Sequence, residues 1–413
     1  MTETPAPPDW DALYAPRMRG VAASDIRERM KLLASRRIIH LGGGLPDPAI
    51  FPYAEIKAAA DTILGDRARA RTALQYAPSE GHAPLRAWIA EQLTQAGAPC
   101  GIDNIVITNG SQQAIDLVAK LFVAPGDPVM VEVPSFIGAL RAFDAYEPTY
   151  VAVPEGEALD ASLEHAKFAY VGTEFRNPTG TSLLREDRER LVARARAAGM
   201  PVLEDACYEH LRYDGEALPS LFVVGARQSG GVEASPVLQT GTFSKTVAPS
   251  LRVGWIAGPA AVVRKLVLLK QAADLATSAL NQMMLLEIAE TRLEALTAHA
   301  RTVYRERRDA MLAGLAAHMP PGTQWTRPEG GLYIWMTLPD GVDGDVFARR
   351  ALEECDTSVI SGTSFHPVLA NGAQMPRNRV RLSFSYIGSD AAGEGIRRLG
   401  VLAYAMRGDR EAA

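Results

Sequence analysis

Lys245 stands inside "QTGTFSKTVAPSLRVGWIAG", residues 239–258, with small hydroxyl residues on both sides and Arg252 seven positions later. The 413-residue chain holds seven lysines against thirty-six arginines, so a lysine at this spot breaks its habit. The two side chains differ in chemistry: an ammonium can lose its proton and act as a nucleophile, whereas a guanidinium stays protonated. Four other clusters carry reactive or ligand-binding residue types. "ITNGSQQAIDL" places Gly110, Ser111 and Gln112 where an apolar run gives way to a helical pattern. Free backbone N–H groups and the helix dipole suit a phosphate there, although glycine-serine turns before helices are common. "EVPSFIG" presents Phe136, which serves equally as a core residue or a stacking ring. "NPTG", Asn177 to Gly180, is a turn by composition. "VLEDACYEHLRY" puts Asp205 behind an apolar run, with Tyr208 three residues on. A carboxylate in that place can also cap a following helix.

The elements that must position these residues follow from the hydrophobic period. From about residue 104, the short apolar runs "NIVIT", "PVMVEVP", "YVAVP", "KFAYVG", "MPVLEDAC", "PVLQTGTFS" and "RVGWIAG" appear in series. Helical stretches such as "NGSQQAIDLVAKLF", "FIGALRAFDAY" and "REDRERLVARARAAG" separate them. That alternation predicts a mostly parallel sheet between two layers of helices. Ligands on such a sheet bind beyond the carboxyl ends of the strands, which is where the five clusters fall. Long helices are expected from Ala260 to about Leu315, followed by a smaller α+β unit built on "GGLYIWMTLP" and "RVRLSFSYIG". Upstream, the first twenty residues read as a proline-rich arm, "SDIRERMKLLAS" as a short capped helix and "RIIHL" as a strand. The expected division is 1–50 for an arm and helix joining the small domain, 51–300 for the large domain, and 301–413 for the small domain.

Composition excludes several classes. Apolar residues at 47% and charged residues at 22% are the proportions of a globular chain with a proper core. A net charge of -5 gives nucleic-acid binding no support. Cys100, Cys207 and Cys355 are too scattered for a metal cluster or a disulfide framework, so a reducing cytoplasm is expected and no metal. No run of eighteen apolar residues occurs, and the N-terminus has no apolar stretch behind basic residues. Neither a membrane span nor a secretory signal is expected.

Taken in order, the five clusters resemble those of fold-type I pyridoxal-phosphate enzymes. The sequence looks like a class I/II aminotransferase close to the kynurenine/2-aminoadipate aminotransferase branch. The motifs "SDIRERMKLL", "LGGGLPDPAIFP", "GSQQAIDL", "NPTG", "GTFSKTVAPSLRVGW" and "RVRLSFS" carry the resemblance over nearly the whole chain. It implies an α/β fold: a large domain with a seven-stranded-type, mostly parallel sheet between helices, plus a smaller α+β domain. It implies transfer of an amino group between an L-amino acid (aromatic, aliphatic or 2-aminoadipate-like) and a 2-oxo acid such as 2-oxoglutarate. Pyridoxal 5'-phosphate would be the cofactor, and its aldehyde requires a primary amine, which answers why position 245 is lysine. By resemblance, Lys245 forms the Schiff base and then carries the substrate proton. Asp205 opposes the pyridine nitrogen and keeps it cationic. Asn177 and Tyr208 bond the ring oxygen, and Phe136 stacks on the ring. Ser111, Gln112, Thr242, Ser244 and Arg252 receive the phosphate. Arg381, in "RVRLSFS", takes the α-carboxylate, against which Gly43 and Gly44 lie. Tyr76, in "LQYAPSEG", would reach a partner's phosphate, which implies a homodimer with shared sites. Arg27, in "SDIRE", would face a substrate's distal carboxylate. No metal, nucleic acid or membrane enters.

Three departures from that branch bear on specificity. Phe136 replaces the usual tyrosine. "TEFRNPTG" replaces a proline-x-phenylalanine-glutamine segment, so Thr173, Glu174 and Arg176 alter the loop or the pocket. Ser361 stands where proline commonly precedes the glycine. A lyase, oxidase or cyclase would share every cofactor residue and is the alternative reading. A transcription regulator on the same scaffold would carry a DNA-reading domain ahead of the large domain, and no basic helix-turn-helix pattern stands there.

Overall fold

The computed structural model describes residues 8–20, 38–153 and 166–411. The helix expected from Ser24, with Arg27 in it, lies outside the described residues. Thirteen strands occur among the described residues. The central sheet is built from β2 (Ile105–Thr108), β3 (Pro128–Val131), β4 (Thr149–Ala152), β5 (Phe168–Gly172), β6 (Val202–Asp205), β7 (Val237–Thr242) and β8 (Gly254–Ala257). Its seven strands lie in the order β2-β8-β7-β6-β5-β3-β4. Pairings from β4 through β7 are parallel, and β8 runs antiparallel to both β7 and β2.

Alternation within the strands divides two cores. Ile105, Ile107, Val171 and Val202 face helices Ala83–Gln95, Arg185–Ala198, Leu221–Ser229 and Ala279–Thr291. Val106, Tyr170, Leu203 and Ile256 face helices Ser111–Phe122, Ile137–Asp144 and Ala260–Ala273 on the other side. Strands covered on both faces must be apolar at nearly every position, and β2 and β5 are buried at every residue. Polar residues are few in these strands, Thr149 opening β4 and Gln239 and Thr240 lying within β7, and the acids of β6 stand at its carboxyl end.

A second body of structure surrounds a four-stranded antiparallel sheet in the order β12-β13-β10-β9. These strands are β9 (Gln324–Trp325), β10 (Tyr333–Thr337), β12 (Ile360–Ser361) and β13 (Arg379–Ser383). Helices Leu293–His318 and Ser389–Glu411 cover one of its faces, burying Ile334, Met336, Val380 and Leu382. On β13, Arg379, Arg381 and Ser383 turn to the opposite face, as a period of two requires. The expected "RIIHL" strand shrinks to β1 (Ile39–His40), which pairs in parallel with β11 (Thr357–Ser358). Asp47 meets Arg307 of the long helix in an ion pair that ties this leading segment to the small sheet's helices. Among the described residues, no helix is long and apolar enough to cross a membrane.

Candidate active site

β6 ends on two consecutive carboxylates that face opposite sides of the sheet. Asp205 points to the side of helices Ser111–Phe122 and Ile137–Asp144. Its Oδ2 accepts from the Tyr170 hydroxyl at 2.6 Å, and its Oδ1 accepts from the Cys207 N–H at 3.1 Å. No helix follows at once: residues 207–210 form turns and the next helix begins at Leu221, so the capping role is excluded. Tyr170 lies diagonally across from Asp205, opposite Leu203, while Gly172 is the direct neighbour of Asp205, with the Arg176 and Glu132 side chains packed against it. Ser111 opens the helix Ser111–Phe122 on this side of the sheet.

That start is shaped for an anion. Gly110 adopts φ 77° and supplies no capping side chain to helix Ser111–Phe122, so the first N–H groups of the helix lack intrahelical acceptors. Arg252, at φ 53°, donates from Nη2 to the Asn109 carbonyl at 2.9 Å. A Cβ at Gly110 would stand 2.5 Å from that same nitrogen, and a Cβ at Gly254 would stand 2.8 Å from the Ser111 nitrogen. Gly254 pairs with Thr108 on one side and Thr242 on the other, so the hydroxyl pair follows directly. Thr242 Oγ1 donates to Ser244 Oγ at 2.9 Å. Gln112 reaches the other way, donating to the Gly138 carbonyl at 2.7 Å, beneath the half-buried ring of Phe136.

Lys245 is half-buried, and its Nζ lies 3.4 Å from the Gly44 carbonyl and 6.0 Å from the Tyr208 ring centre. The Tyr208 hydroxyl meets the Tyr333 hydroxyl at 3.1 Å. Burial, then the neighbouring Tyr333 phenol, hold Tyr208 well above the ordinary tyrosine value, so it stays a neutral donor. A Cβ on Gly44 would come within 2.0 Å of the Tyr333 hydroxyl, so only glycine lets this backbone approach. Arg381 is 2% exposed. Its Nη1 donates to Asn177 Oδ1 at 2.7 Å and its Nη2 to the Gly42 carbonyl at 2.7 Å. The guanidinium lies over the Tyr333 ring at 4.4 Å and the Phe365 ring at 4.8 Å. Its Nε is buried and has no acceptor, and no carboxylate pairs with it among the described residues.

The aminotransferase class I and II family pattern matches residues 38–398. The chain belongs to this family. It is 39% identical to the 2-aminoadipate transaminase of Thermus thermophilus over 95% of this chain and 97% of that one. It is 35% identical to aromatic-amino-acid aminotransferase 1 of Thermococcus litoralis over 95% and 94%. The α-aminoadipate aminotransferase of Thermus thermophilus, solved with N-(5'-phosphopyridoxyl)-L-leucine, superposes with a TM-score of 0.87. That match has 37% identity and covers 97% of this chain and 99% of the other. The expected fold class holds, as does the expected chemistry of pyridoxal-phosphate-dependent transamination between amino and oxo acids.

In this aminotransferase the residues present fit the cofactor. A half-buried amine, a carboxylate at the end of β6 and a helix start joined to an arginine are the groups that the cofactor's aldehyde, ring nitrogen and phosphate require. Tyr76 stands apart from the other expected residues, 81% exposed with its ring turned to solvent. Two residues at the site were absent from the sequence reading: Tyr333 and Tyr170. Tyr170 sits two positions before Gly172 in an otherwise apolar strand and Tyr333 follows Gly330 and Gly331, so an aromatic hydroxyl beside a glycine gap was the available signal. The departures at "TEFRNPTG" serve the loop. Thr173 donates to Glu204 at 2.7 Å, Glu174 pairs with Arg188 at 2.6 Å and with Arg212 at 2.5 Å, and Arg176 pairs with Glu132 at 3.1 Å. The Ser361 hydroxyl caps the turn Gly362–Phe365 by accepting from the Thr363 N–H.

Proposed function

We propose that this aminotransferase accepts aromatic, aliphatic and 2-aminoadipate-like amino acids as donors and a 2-oxo acid such as 2-oxoglutarate as acceptor. The observation that carries the reading is Arg381: a buried cation with no carboxylate partner among the described residues and its Nε without an acceptor. An unpaired buried charge is costly unless a ligand completes it, and a guanidinium matches a carboxylate in a two-point fork. Ile137, Trp335, Ile360 and Phe365, with Phe136 packed against them, form an apolar cluster beside it, suited to an apolar side chain. Relatives named for 2-aminoadipate and aromatic amino acids support the same range. Arg27 is assigned the distal carboxylate of a dicarboxylic substrate. If Arg27→Ala leaves the KM for 2-oxoglutarate unchanged, that assignment falls.

Pyridoxal 5'-phosphate, when bound, supplies an aldehyde carbon and an electron-withdrawing ring. Lys245 would hold that carbon covalently and, once released, move the proton from the substrate Cα. Asp205, fixed by Tyr170, would hold the proton on the ring nitrogen. Asn177 spends Oδ1 on Arg381, which leaves its amide N–H groups to meet the ring oxygen together with Tyr208. Phe136 would stack on the ring. Ser111, Gln112, Thr242, Ser244 and Arg252 would receive the phosphate, and Gly44 would border the substrate. Tyr76 is assigned to a second subunit's phosphate, so the working unit would be a homodimer. We place the domain limits at residues 50 and 300, and the free thiols Cys100, Cys207 and Cys355 suit the cytoplasm.

The test is product analysis. Purified protein is given single amino acids with and without 2-oxoglutarate, and amino-group transfer to glutamate is followed by mass spectrometry. Glutamate should form from 2-aminoadipate, leucine or phenylalanine only when the oxo acid is present. Product from an amino acid alone would favour a lyase or oxidase instead. Borohydride should fix the cofactor to one residue, Lys245, and fixation elsewhere would overturn the assignment.

A further inference from the structure

A second lysine breaks the chain's preference for arginine as sharply as Lys245 does. Lys270 lies in helix Ala260–Ala273, on the stripe Val263, Leu266, Val267 that packs on the sheet, and it is 0% exposed. An apolar residue belongs at that point of the stripe. Instead, Nζ donates to both oxygens of Asp274 at 2.9 Å and to Gln113 Oε1 at 3.0 Å, so three short contacts converge on one nitrogen. A point charge can make such contacts and a planar guanidinium cannot in the same space.

The contacts continue toward the helix start described above. Asp274 Oδ2 also accepts from Gln113 Nε2 at 2.6 Å and from the side-chain amide of Asn109. Gln113 Oε1 accepts from the Asn109 N–H at 2.8 Å, and the Asn109 carbonyl accepts from Arg252. Residue 109 is therefore held at its N–H, its side chain and its carbonyl. The next residues are Gly110, Ser111 and Gln112, assigned to the phosphate. The pairing itself also has a reason. A lone carboxylate beside this helix start would occupy the positive end of the dipole and repel a dianion. Lys270 cancels that charge while Asp274 keeps its hydrogen bonds.

We propose that Lys270 and Asp274 are positioning residues for the cofactor's phosphate, fixing the Asn109–Gln112 turn and neutralising the acid beneath it. The inference rests on the assignment of Ser111, Gln112 and Arg252 to the phosphate. Full-length apoprotein, prepared by resolving the holoenzyme, is titrated with pyridoxal 5'-phosphate and separately with pyridoxal, which lacks the phosphate. Lys270→Met should weaken binding of the phosphorylated form by about tenfold or more, with pyridoxal changed by less than about twofold. Adding Asp274→Asn to Lys270→Met should recover part of the loss, because the uncompensated charge is gone. Equal weakening of both ligands, no weakening, or a double variant worse than Lys270→Met overturns the proposal. Should Lys270→Met not fold by circular dichroism, Asn109→Ala removes only the link. It should show the same phosphate-selective loss, and an unchanged ratio of the two affinities overturns the proposal equally. Arg252→Ala runs in parallel. If it too fails to separate the two ligands, the phosphate assignment has failed. If it separates them and neither Lys270→Met nor Asn109→Ala does, the positioning role alone has failed.

Discussion

The two faces of the central sheet solve the same problem in opposite ways. Glu204 and Asp205 are neighbours on β6, and alternation sends them to different sides. Glu204 is 0% exposed and meets four donors: Thr173 Oγ1, the N–H groups of Leu221 and Phe222, and Gln239 Nε2. Among the described residues Asp205 has two hydrogen-bond donors, the Tyr170 hydroxyl and the Cys207 N–H, and it is half-buried. The arginines repeat the contrast. Arg188, 1% exposed, uses all three guanidinium nitrogens on Glu174 and on the carbonyls of Thr173, Leu183, Leu218 and Pro219. Arg381 is buried to a similar degree but has an idle Nε and, among the described residues, no acid. Buried charge that serves the fold is saturated, whereas on the side facing the site, capacity is left over for a ligand. Burial alone does not separate the two kinds of residue.

Exchanging the contrasted residues tests this division, and the largest effect belongs to the amine. Lys245→Ala should lower turnover by more than about 10⁴-fold, since both covalent holding and proton transfer are lost. The melting temperature of its apoprotein should stay near wild type. The arginine pair comes next. Arg381→Ala should cut kcat/KM by about 10²–10³-fold, mostly through KM for both amino and oxo acids. It should not destabilise the fold, because it removes an uncompensated charge. Arg188→Ala should do the reverse. It breaks a buried pair, leaves Glu174 with Arg212 and Ser182 alone and strips the carbonyls of Thr173, Leu183, Leu218 and Pro219 of their donor, at a cost of about 3–5 kcal/mol, while the folded fraction keeps its KM. Thermal melts and initial rates on both variants decide the matter. A raised KM with an unchanged melt for Arg188→Ala would break the comparison.

The arrangement of strands was readable from the sequence because a sheet buried on both faces leaves apolar runs with little alternative. The site was readable for a related reason: polar residues directly after such runs have few structural excuses. Alternation was harder to use. "LED" does not say which acid faces the ligand, and only the register of β5 against β6 brings Tyr170 to Asp205. For Thr173, Glu174 and Arg176 the sequence leaves loop and pocket open, and the fold decides for the loop by pairing them with Glu204, Arg188 and Glu132. Such partners lie far off in sequence, Glu132 for Arg176 and Arg188 for Glu174, and no local pattern announces them. Tyr333 eluded the reading for the same reason, because its hydroxyl gains meaning only once the small sheet has packed against Gly44 and Tyr208.

A smaller effect sharpens the contrast within the site itself. Asp205→Asn should lower kcat by about 10²-fold or more, because an amide cannot hold a proton on the ring nitrogen. Tyr170→Phe removes one of the two donors to Asp205 but keeps the carboxylate, so kcat should fall by only about 3–10-fold. The pH profile of Tyr170→Phe should also shift, which distinguishes tuning from simple loss of packing. An unchanged profile would reduce Tyr170 to a core residue with a convenient hydroxyl.

The smallest effect concerns Glu132, which stands between the two kinds of residue. It is buried and takes the Gly172 N–H at 3.1 Å and Arg176 at 3.1 Å, two partners where Glu204 has four. Burial pushes its carboxyl from 4.5 up to about 7, although Arg176 pulls the other way and Asp205 adds to the rise. Between 4.5 and about 7 the folded chain thus holds a proton on Glu132 that the unfolded chain has released. Stability from this group is present below 4.5 and declines as the pH climbs through that window. Glu132→Gln removes the titration, so its melting temperature should fall less than that of wild type between about pH 5 and pH 8, by about 2–4 °C. The slope is the informative quantity, because loss of the Arg176 pair lowers both ends of the curve alike. Identical slopes in variant and wild type would mean that Arg176 keeps Glu132 ionised throughout, and Glu132 would then belong with the saturated charges of the opposite face.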